Sequence, residues 1–593
     1  MPNSFWEQIA TANGEALRSL PADERAVVVV SAGGTLAAEG ETLLADCVRV
    51  LRPGGLLFVY GHPGELPSWG EHLARAGSET WRMVFKYWIA LAIDDAPRGN
   101  LLKPSHRGLL MFLKDDPKRK KPSAPPLNTA DVKVAHQYCA ACKLNVKDWG
   151  GKKHLMNPNG AALADVWRDL PKIKLKDSVA PDCVLERIHA LTMGEGERGL
   201  HVIERGDTEP DRRRRKETHL FPPKSQSLLT SSPTVFESDH VHLGDCVSFL
   251  NSVAAAHPEG VFDLAFADPP YNLAKKYANY DDTLADQHYL DWCNQWLDGI
   301  ARTLKPGGSL FVLNLPKWAL HHAAFLNSRL EFRHWIVWDA LSDPRGKLMP
   351  AHYALLYYTK PGAQPVFNYA GTSRRNGDPA ERRHLNNKES AALCRDAATV
   401  LPPDAPKYCL RAACVKQRKQ LGDDDKVELS DIWFDIHRIK HKRDRDAHPC
   451  QLPDKLMERI IRLATNPGGL VFDPFCGAGT TAIAARKLGR HFVTTECDPK
   501  YVRITNEKLA AMKAHADLFG EFVVPRTSTR RERGLTTKKA VEIFLQSLAQ
   551  KLGRVPTEAE IHRADGEMLS VIDRYYPNRG AALKRCKVAL VAG

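Results

Sequence analysis

Apolar positions in the second half of this chain come in short blocks separated by turn residues and by helical runs. Val261-Phe262-Asp263-Leu264-Ala265-Phe266-Ala267 has the length and character of a buried strand. It stops at Asp268-Pro269-Pro270-Tyr271, and two prolines cannot extend a central strand, so the chain turns at the strand's carboxyl end. Leu304-Lys305-Pro306-Gly307-Gly308 ends a helix and opens the strand Ser309-Leu310-Phe311-Val312-Leu313. Gly469-Leu470-Val471-Phe472-Asp473 is another short strand. It leads through Pro474-Phe475-Cys476-Gly477-Ala478-Gly479-Thr480-Thr481 into the helical run Ala482 to Leu488. His491-Phe492-Val493-Thr494-Thr495 then reads as a strand ending in Glu496. This alternation predicts a doubly wound, mostly parallel α/β sheet of Rossmann-like type, whose ligands lie at the carboxyl edge of the strands.

The first 204 residues echo that pattern in the same order. Leu51-Arg52-Pro53-Gly54-Gly55-Leu56-Leu57-Phe58-Val59 matches Leu304 to Val312, and Leu102-Lys103-Pro104-Ser105-His106 matches Leu348 to His352. Leu163-Ala164-Asp165-Val166-Trp167 matches Leu429 to Trp433, and Leu185-Glu186-Arg187-Ile188 matches Met457 to Ile460. A duplicated domain is expected, with its chemistry lost from the first copy. Val27 to Val30 runs into Ser31-Ala32-Gly33-Gly34 instead of Asp-Pro-Pro-Tyr, and Leu200 to Glu204 is followed by no glycine turn.

The Asp268 to Tyr271 turn presents a carboxylate, proline-constrained carbonyls and an aromatic ring at a cleft mouth. An exocyclic amino group is a poor nucleophile because its lone pair is delocalised. Asp268 and the Pro269 carbonyl are suited to accept its two hydrogens, and Tyr271 to stack on a base rotated out of a duplex. Asp-Pro-Pro-Tyr is also a sequence that an ordinary turn can adopt. In the second segment the glycines let a ligand approach the backbone, and an acidic residue about 20 positions on, here Glu496, suits ribose hydroxyls. The loop lacks the Gly-Lys-Ser/Thr ending of an NTPase phosphate loop.

Together the two segments resemble the DNA amino-methyltransferases, the adenine-N6 and cytosine-N4 family, over about Asp239 to Leu509. Asp268-Pro269-Pro270-Tyr271 looks like the family's catalytic motif, and Asp473 to Gly479 like its cofactor loop. His448-Pro449-Cys450-Gln451-Leu452-Pro453 is similar to the segment that closes over the cofactor's methionine end, and Gly244-Asp245 to the one approaching its adenine. The catalytic motif precedes the cofactor loop, the order of the β group. The resemblance implies S-adenosylmethionine as cofactor, held by Asp245, Pro453, Asp473, Phe475, Gly477, Gly479, Thr480 and Glu496. It also implies double-stranded DNA as substrate. Asp rather than Ser before Pro-Pro-Tyr points within the family to adenine N6 over cytosine N4. A silent DNA-binding protein keeping the fold, and methylation of RNA or of a protein glutamine, are the competing readings.

Composition adds a partner. A formal net charge of +14 favours a polyanion. Residues 361–447 break the α/β pattern, are rich in Arg, Lys, Asn and Gly, and stand where the family carries target recognition; a charged insertion is the plainer alternative. The expected organisation is a degenerate domain 1–204, a basic linker 205–235, a catalytic domain 236–513, a linker 514–535 and a small helical domain 536–593. The helical domain suits DNA binding or protein docking. Thirteen scattered cysteines fit a reduced, cytoplasmic protein. His384, Cys394, Cys409 and Cys414, and likewise His136, Cys139, Cys142 and His154, lack clean zinc spacing, so no metal is expected. No apolar run is long enough to cross a bilayer, and no secretion signal is legible. A restriction or defence nuclease is a candidate partner, and a monomer with an internal pseudo-dimer is the expected assembly.

Overall fold

The computed structural model describes residues 5–11, 15–93, 101–129, 160–170, 173–194, 196–204, 236–274, 282–340, 350–368 and 452–519, with shorter pieces of the rest. The chain forms two compact units, Met1–Lys440 with Cys450–Val524, and His441–Pro449 with Pro525–Gly593. The first unit contains two large sheets.

The N-terminal half contributes β1 (Trp6–Thr11), β2 (Arg25–Ser31), β3 (Leu51–Gly61), β4 (Arg82–Ala92) and β5 (His106–Asp115). Four two-residue strands follow, β6 (Lys133–Val134), β7 (Tyr138–Cys139), β8 (Leu144–Asn145) and β9 (Ala161–Ala162), pairing as two small ribbons. β10 (Val166–Trp167) and β11 (Gly199–Glu204) complete a seven-stranded sheet of order β1-β11-β2-β3-β5-β4-β10. The C-terminal half contributes β12 (His240–Leu243), β13 (Phe262–Ala267), β14 (Leu304–Asn314), β15 (Glu331–Asp339), β16 (His352–Thr359), β17 (Ile432–Trp433), β18 (Leu470–Asp473) and β19 (His491–Glu496). Their order is β12-β19-β18-β13-β14-β16-β15-β17. In each sheet a single strand, β5 or β16, runs antiparallel to both neighbours, and every other pairing is parallel. Central strands are apolar without alternation because both faces are covered, as in Val27 to Val30 and in β5, which is buried along its whole length.

Strand register ties the two sheets together. Val27 lies opposite Leu56 and Leu264 opposite Ser309, so the Pro-Gly-Gly echo sets Ser31 in the place of Asp268. On the other side, Leu200 lies opposite Val28 and Phe472 opposite Ala265, which sets His201 in the place of Asp473. The sheets differ at one edge. β19 stands between β12 and β18, whereas β1 pairs directly with β11. Local contacts repeat as well. The Trp167 indole donates to the Ala164 carbonyl under the Arg187 guanidinium, and Trp433 donates to Ser430 under Arg459.

The halves meet through matching positions. Trp88 on β4 stacks on Trp335 on β15, with ring centroids 3.6 Å apart and planes 6° apart. His106 Nδ1 lies 3.1 Å from Asp431, and His352 Nδ1 lies 3.1 Å from Asp165. The Ser105 and Ala351 amides donate to the same two carboxylates at 2.8 and 2.9 Å. Leu102 is buried in the C-terminal core and Leu348 in the N-terminal core. Such exchange, residue for residue, is the pattern of an isologous contact. Burial acts to raise the Asp431 carboxyl, but the charges of and hydrogen bonds from His106 and His334 hold it down at about 2.

In the second unit Val541, Leu545, Ala549, Ile561 and Ile572 are buried together. The Thr557 amide donates to the Glu560 carboxylate and the Glu560 amide to the Thr557 hydroxyl, a reciprocal capping box at the start of the helix Glu558–Ala564. In the first unit, the helix Pro499–Phe519 runs past the domain end expected at 513. The linker 205–235 and most of 361–447 lie outside the described residues, as do the zinc candidates apart from Cys414, which is buried, and the backbone of Cys139. Among the described residues no helix is long and apolar enough to cross a membrane.

Candidate active site

Four adjacent parallel strands, β12, β19, β18 and β13, bring their carboxyl ends to one edge of the C-terminal sheet. The segments singled out in the sequence follow those ends: Gly244-Asp245 after β12, Glu496 closing β19, Asp473 closing β18, and Asp268 to Tyr271 after β13. Parallel pairing of β13 with β18 places the two motifs side by side despite their separation in the chain.

The turn after β13 is held from several directions. The Tyr271 hydroxyl donates to Asp268 Oδ1 at 2.6 Å, and Tyr271 is 9% exposed. The Tyr289 hydroxyl donates to the Pro270 carbonyl at 2.7 Å, and the Trp318 indole to the Tyr271 carbonyl at 2.9 Å. Asn314 Nδ2 lies 3.1 Å from both the Tyr289 hydroxyl and His322 Nε2. As Asn314 donates, the tyrosine proton is directed to Pro270. It also makes His322 Nε2 an acceptor, consistent with burial pushing that imidazole down to about 3. Beyond the turn Asn272 and Ala274 take left-handed φ of 54° and 56°, and Asp282 accepts the Asn272 and Leu273 amides with its two oxygens.

The cofactor-type loop is built on two acids, Asp473, which is buried, and Glu496, which is half-buried. Asp473 accepts the Phe475 amide at 2.8 Å with one oxygen and the Thr481 hydroxyl with the other. Glu496 accepts the Gly477 amide at 2.8 Å and the Asp498 amide at 2.9 Å. Burial raises both carboxyls, and the Glu496 charge adds to the rise of Asp473, to about 6, against the two hydrogen bonds that lower it. Gly477 and Gly479 hold φ of 50° and 85°, and a Cβ on Gly479 would come within 2.5 Å of the Thr505 side chain. Only glycine meets both demands at Gly479. Thr480 starts the helix Thr480–Lys487. Phe475 packs its ring 5.6 Å from Trp292 and 5.3 Å from Trp296.

Asp245 is exposed and caps the helix Cys246–Ala256 by accepting the Ser248 amide at 2.8 Å. Pro453 is buried at the start of the helix Asp454–Ala464, while His448 to Gln451 lie outside the described residues. Tyr289, Trp318, Asn314 and Asp282 escaped the sequence reading. An aromatic residue or an Asn inside an apolar stretch looks like core, and nothing in its spacing reveals that it grips a carbonyl of a distant turn.

Residues 262–507 match the model of the DNA methylase family whose name covers N6 and N4 enzymes. These residues belong to the DNA amino-methyltransferase family. The type II methyltransferase M.BamHI of Bacillus amyloliquefaciens is 35% identical over 262 residues, which are 43% of this chain and 53% of that protein. This chain thus spans about half the length of that relative. M1.MboII of Moraxella bovis, also a type II methyltransferase, is 27% identical over 46% of this chain and 96% of its own. The DNA adenine methyltransferase YhdJ of Escherichia coli is 27% identical over 47% and 85%. Among solved structures, the M1.HpyAVI-SAM complex aligns with 46% of this chain and 98% of its own, at 18% identity and a TM-score of 0.30. The cytosine-N4-specific PvuII DNA methyltransferase aligns over 45% and 84%, at 18% identity and a TM-score of 0.28.

Proposed function

We propose that this chain methylates the N6 amino group of an adenine rotated out of double-stranded DNA, with S-adenosylmethionine as donor. The observation that carries the reading is the apposition of the Asp268 to Tyr271 turn and the Asp473–Glu496 loop at the ends of neighbouring strands. S-adenosylmethionine supplies a methyl group activated by a sulfonium. Burial raises both carboxyls, and the charge of Glu496 adds to the rise of Asp473 and that of Asp498 to the rise of Glu496, so a cationic ligand with ribose hydroxyls suits them: the cation stabilises the ionised acids and the hydroxyls donate to Glu496.

The protein's own part lies in the turn. Asp268 and the Pro269 carbonyl accept the two amino hydrogens, so the nitrogen lone pair leaves conjugation and points at the methyl group. The proton released as the nitrogen–carbon bond forms passes to Asp268. A carboxylate has roughly four acceptor positions, so the bond from Tyr271 orients Asp268 without exhausting it. The Tyr271 ring, on the turn itself, is suited to stack on the base. Cytosine N4 offers the same amino group, and the aspartate that opens the turn is what favours adenine. The N-terminal half is read as an inactive copy, so one chain binds one cofactor and works as a monomer. Residues 361–447 recognise the target. A restriction nuclease is a candidate partner, since M.BamHI and M1.MboII are named as type II methyltransferases.

The test is to incubate the purified chain with DNA and deuterated-methyl S-adenosylmethionine, then digest to nucleosides for mass spectrometry. Labelled N6-methyladenine is expected. Labelled N4-methylcytosine would move the reading to the other base, and label in RNA or protein but not in DNA would overturn it.

A further inference from the structure

The Asp268 to Tyr271 turn is hard to hold by ordinary means. Pro269 and Pro270 have no N–H, so carbonyls are the backbone handles left on those residues. Two helices supply the grip, Asp286–Thr303 through Tyr289 and Pro316–Leu326 through Trp318. The second helix is also a main seam with the N-terminal half. Leu320, 1% exposed, lies against Gly70 of the helix Leu66–Arg75. A Cβ added at Gly70 would stand 2.3 Å from Leu320 Cδ1 and 3.0 Å from Leu110 Cδ1, so no side chain fits there unless Leu320 yields. The seam continues past the end of the helix. Asn327 Nδ2 donates to the Gly64 carbonyl at 3.3 Å, and a Cβ on Gly64 would meet the Phe332 ring at 2.6 Å.

We propose that the N-terminal half is a positioning element for the catalytic turn, a role that rests on the methyl-transfer reading above. Its helix Leu66–Arg75 sets the seat of the helix Pro316–Leu326. That helix sets where Trp318 holds the Tyr271 carbonyl, and the Tyr271 hydroxyl sets the direction of the Asp268 carboxylate. Each link is a packed contact or a hydrogen bond of 2.9 Å or less, and close-packed interiors transmit displacement. The cofactor edge, β18 and β19, lies on the opposite side of β13 from β14 and the strands that meet the N-terminal half. A disturbance at Gly70 therefore reaches the turn directly through Trp318, and reaches the cofactor loop only through the further ring contacts of His322 with Trp296 and of Trp296 with Phe475, so it falls more heavily on the turn. General loosening of the fold would weaken both together.

The experiment uses the full chain and compares Gly70→Leu, Gly70→Leu with Leu320→Ala, and Trp318→Phe. Single-turnover methyl transfer to DNA gives the rate, and calorimetry gives S-adenosylmethionine affinity. Gly70→Leu is expected to slow transfer by about tenfold or more, since a displacement near 1 Å costs up to a hundredfold, with a much smaller change in affinity. Adding Leu320→Ala returns the removed volume and is expected to restore most of the rate. Trp318→Phe keeps a ring but removes the donor to the Tyr271 carbonyl, and is expected to slow transfer at unchanged affinity. The proposal is overturned if rate and affinity fall in step, if Gly70→Leu or Trp318→Phe transfers at the unmutated rate, or if the double variant is no faster than Gly70→Leu. Those failures leave the unmutated chain active. An unmutated chain that methylates no DNA overturns the functional reading, and this inference with it.

Discussion

The two sheets of the first unit end in edges that share a register and nothing else. After β13 stand Asp268 and two prolines; β2 closes on Ser31, which leads into Ala32 and two glycines. β18 stops at Asp473 and opens into a glycine loop, a helix and β19. β11 instead runs on through Val202, Ile203 and Glu204, and Glu204 accepts the Gly33 amide at 2.7 Å. Ser31 and His201, in the places of the two aspartates, lie 2.9 Å apart and bond to each other. The frame thus survives complete replacement of its edge, because strand pairing and core packing are set by residues below the edge. Among the described residues the N-terminal sheet has no strand between β1 and β11, and its edge is tied by hydrogen bonds between side chains and backbone instead.

The largest expected effect breaks the comparison at its centre. Asp268→Ala should lower methyl transfer by roughly 10²- to 10⁴-fold with cofactor affinity unchanged, while Ser31→Ala at the matching place should leave the rate alone. Ser31 accepts the Ala180 amide at 2.9 Å, so its loss should appear instead as about 1 kcal/mol of stability in thermal unfolding. Equal loss of rate in both variants would mean that the N-terminal edge takes part in the reaction.

An intermediate effect concerns Asp473, whose counterpart His201 carries no such charge. Burial raises Asp473 to about 6, so its ionised form is present only above that pH. Cofactor affinity measured by calorimetry should fall as pH drops through 6, and Asp473→Asn should be weaker and flat across that window. Stability carries the opposite sign. With the unfolded value near 4, the cost of the buried charge is absent below about pH 4, grows as pH rises from about 4 to 6 and is complete above that. An affinity that is level from pH 5 to 8 in the unmutated protein would remove Asp473 from the cofactor site.

The smallest expected effect lies in the second unit. Deleting the residues after Arg533 should leave methylation of a short duplex at high concentration nearly intact. It should weaken binding to long DNA and flatten the dependence of affinity on salt, since fewer phosphates are neutralised. An unchanged salt slope would turn that unit into a protein-docking element.

Much of this was legible in the sequence because it lives in local runs. The strand before Asp268 and the strand before Asp473 each read correctly from a few neighbouring residues, and the Asp-x-Trp echoes fall at matching places in the two sheets. The helix end expected at Leu304 to Gly308 is instead the opening of β14, with Gly307 at φ 76°, since strand pairing begins at once after Thr303. What remained hidden depends on distance. Tyr289 reaches Pro270 and Trp318 reaches Tyr271 across the fold. No periodicity distinguishes those aromatics from Trp296 or Trp335, whose ring nitrogens lie buried without a hydrogen-bond partner among the described residues. That β1 pairs directly with β11, with no strand between them among the described residues, required the topology.

The stacked pair Trp88 and Trp335 has a genetic consequence. Where a two-fold contact joins two identical chains, one codon writes both sides, so every substitution is made twice and must suit itself. Here each tryptophan has its own codon, and so do Gly70 and Leu320. A bulky residue on one side and a glycine on the other is a pairing that single-step mutation reaches easily in a fused chain and that a symmetric dimer must accept in duplicate. Carrying both halves on one chain also holds each beside the other at a local concentration of order millimolar however scarce the protein is, so the contact never has to assemble from dilute solution.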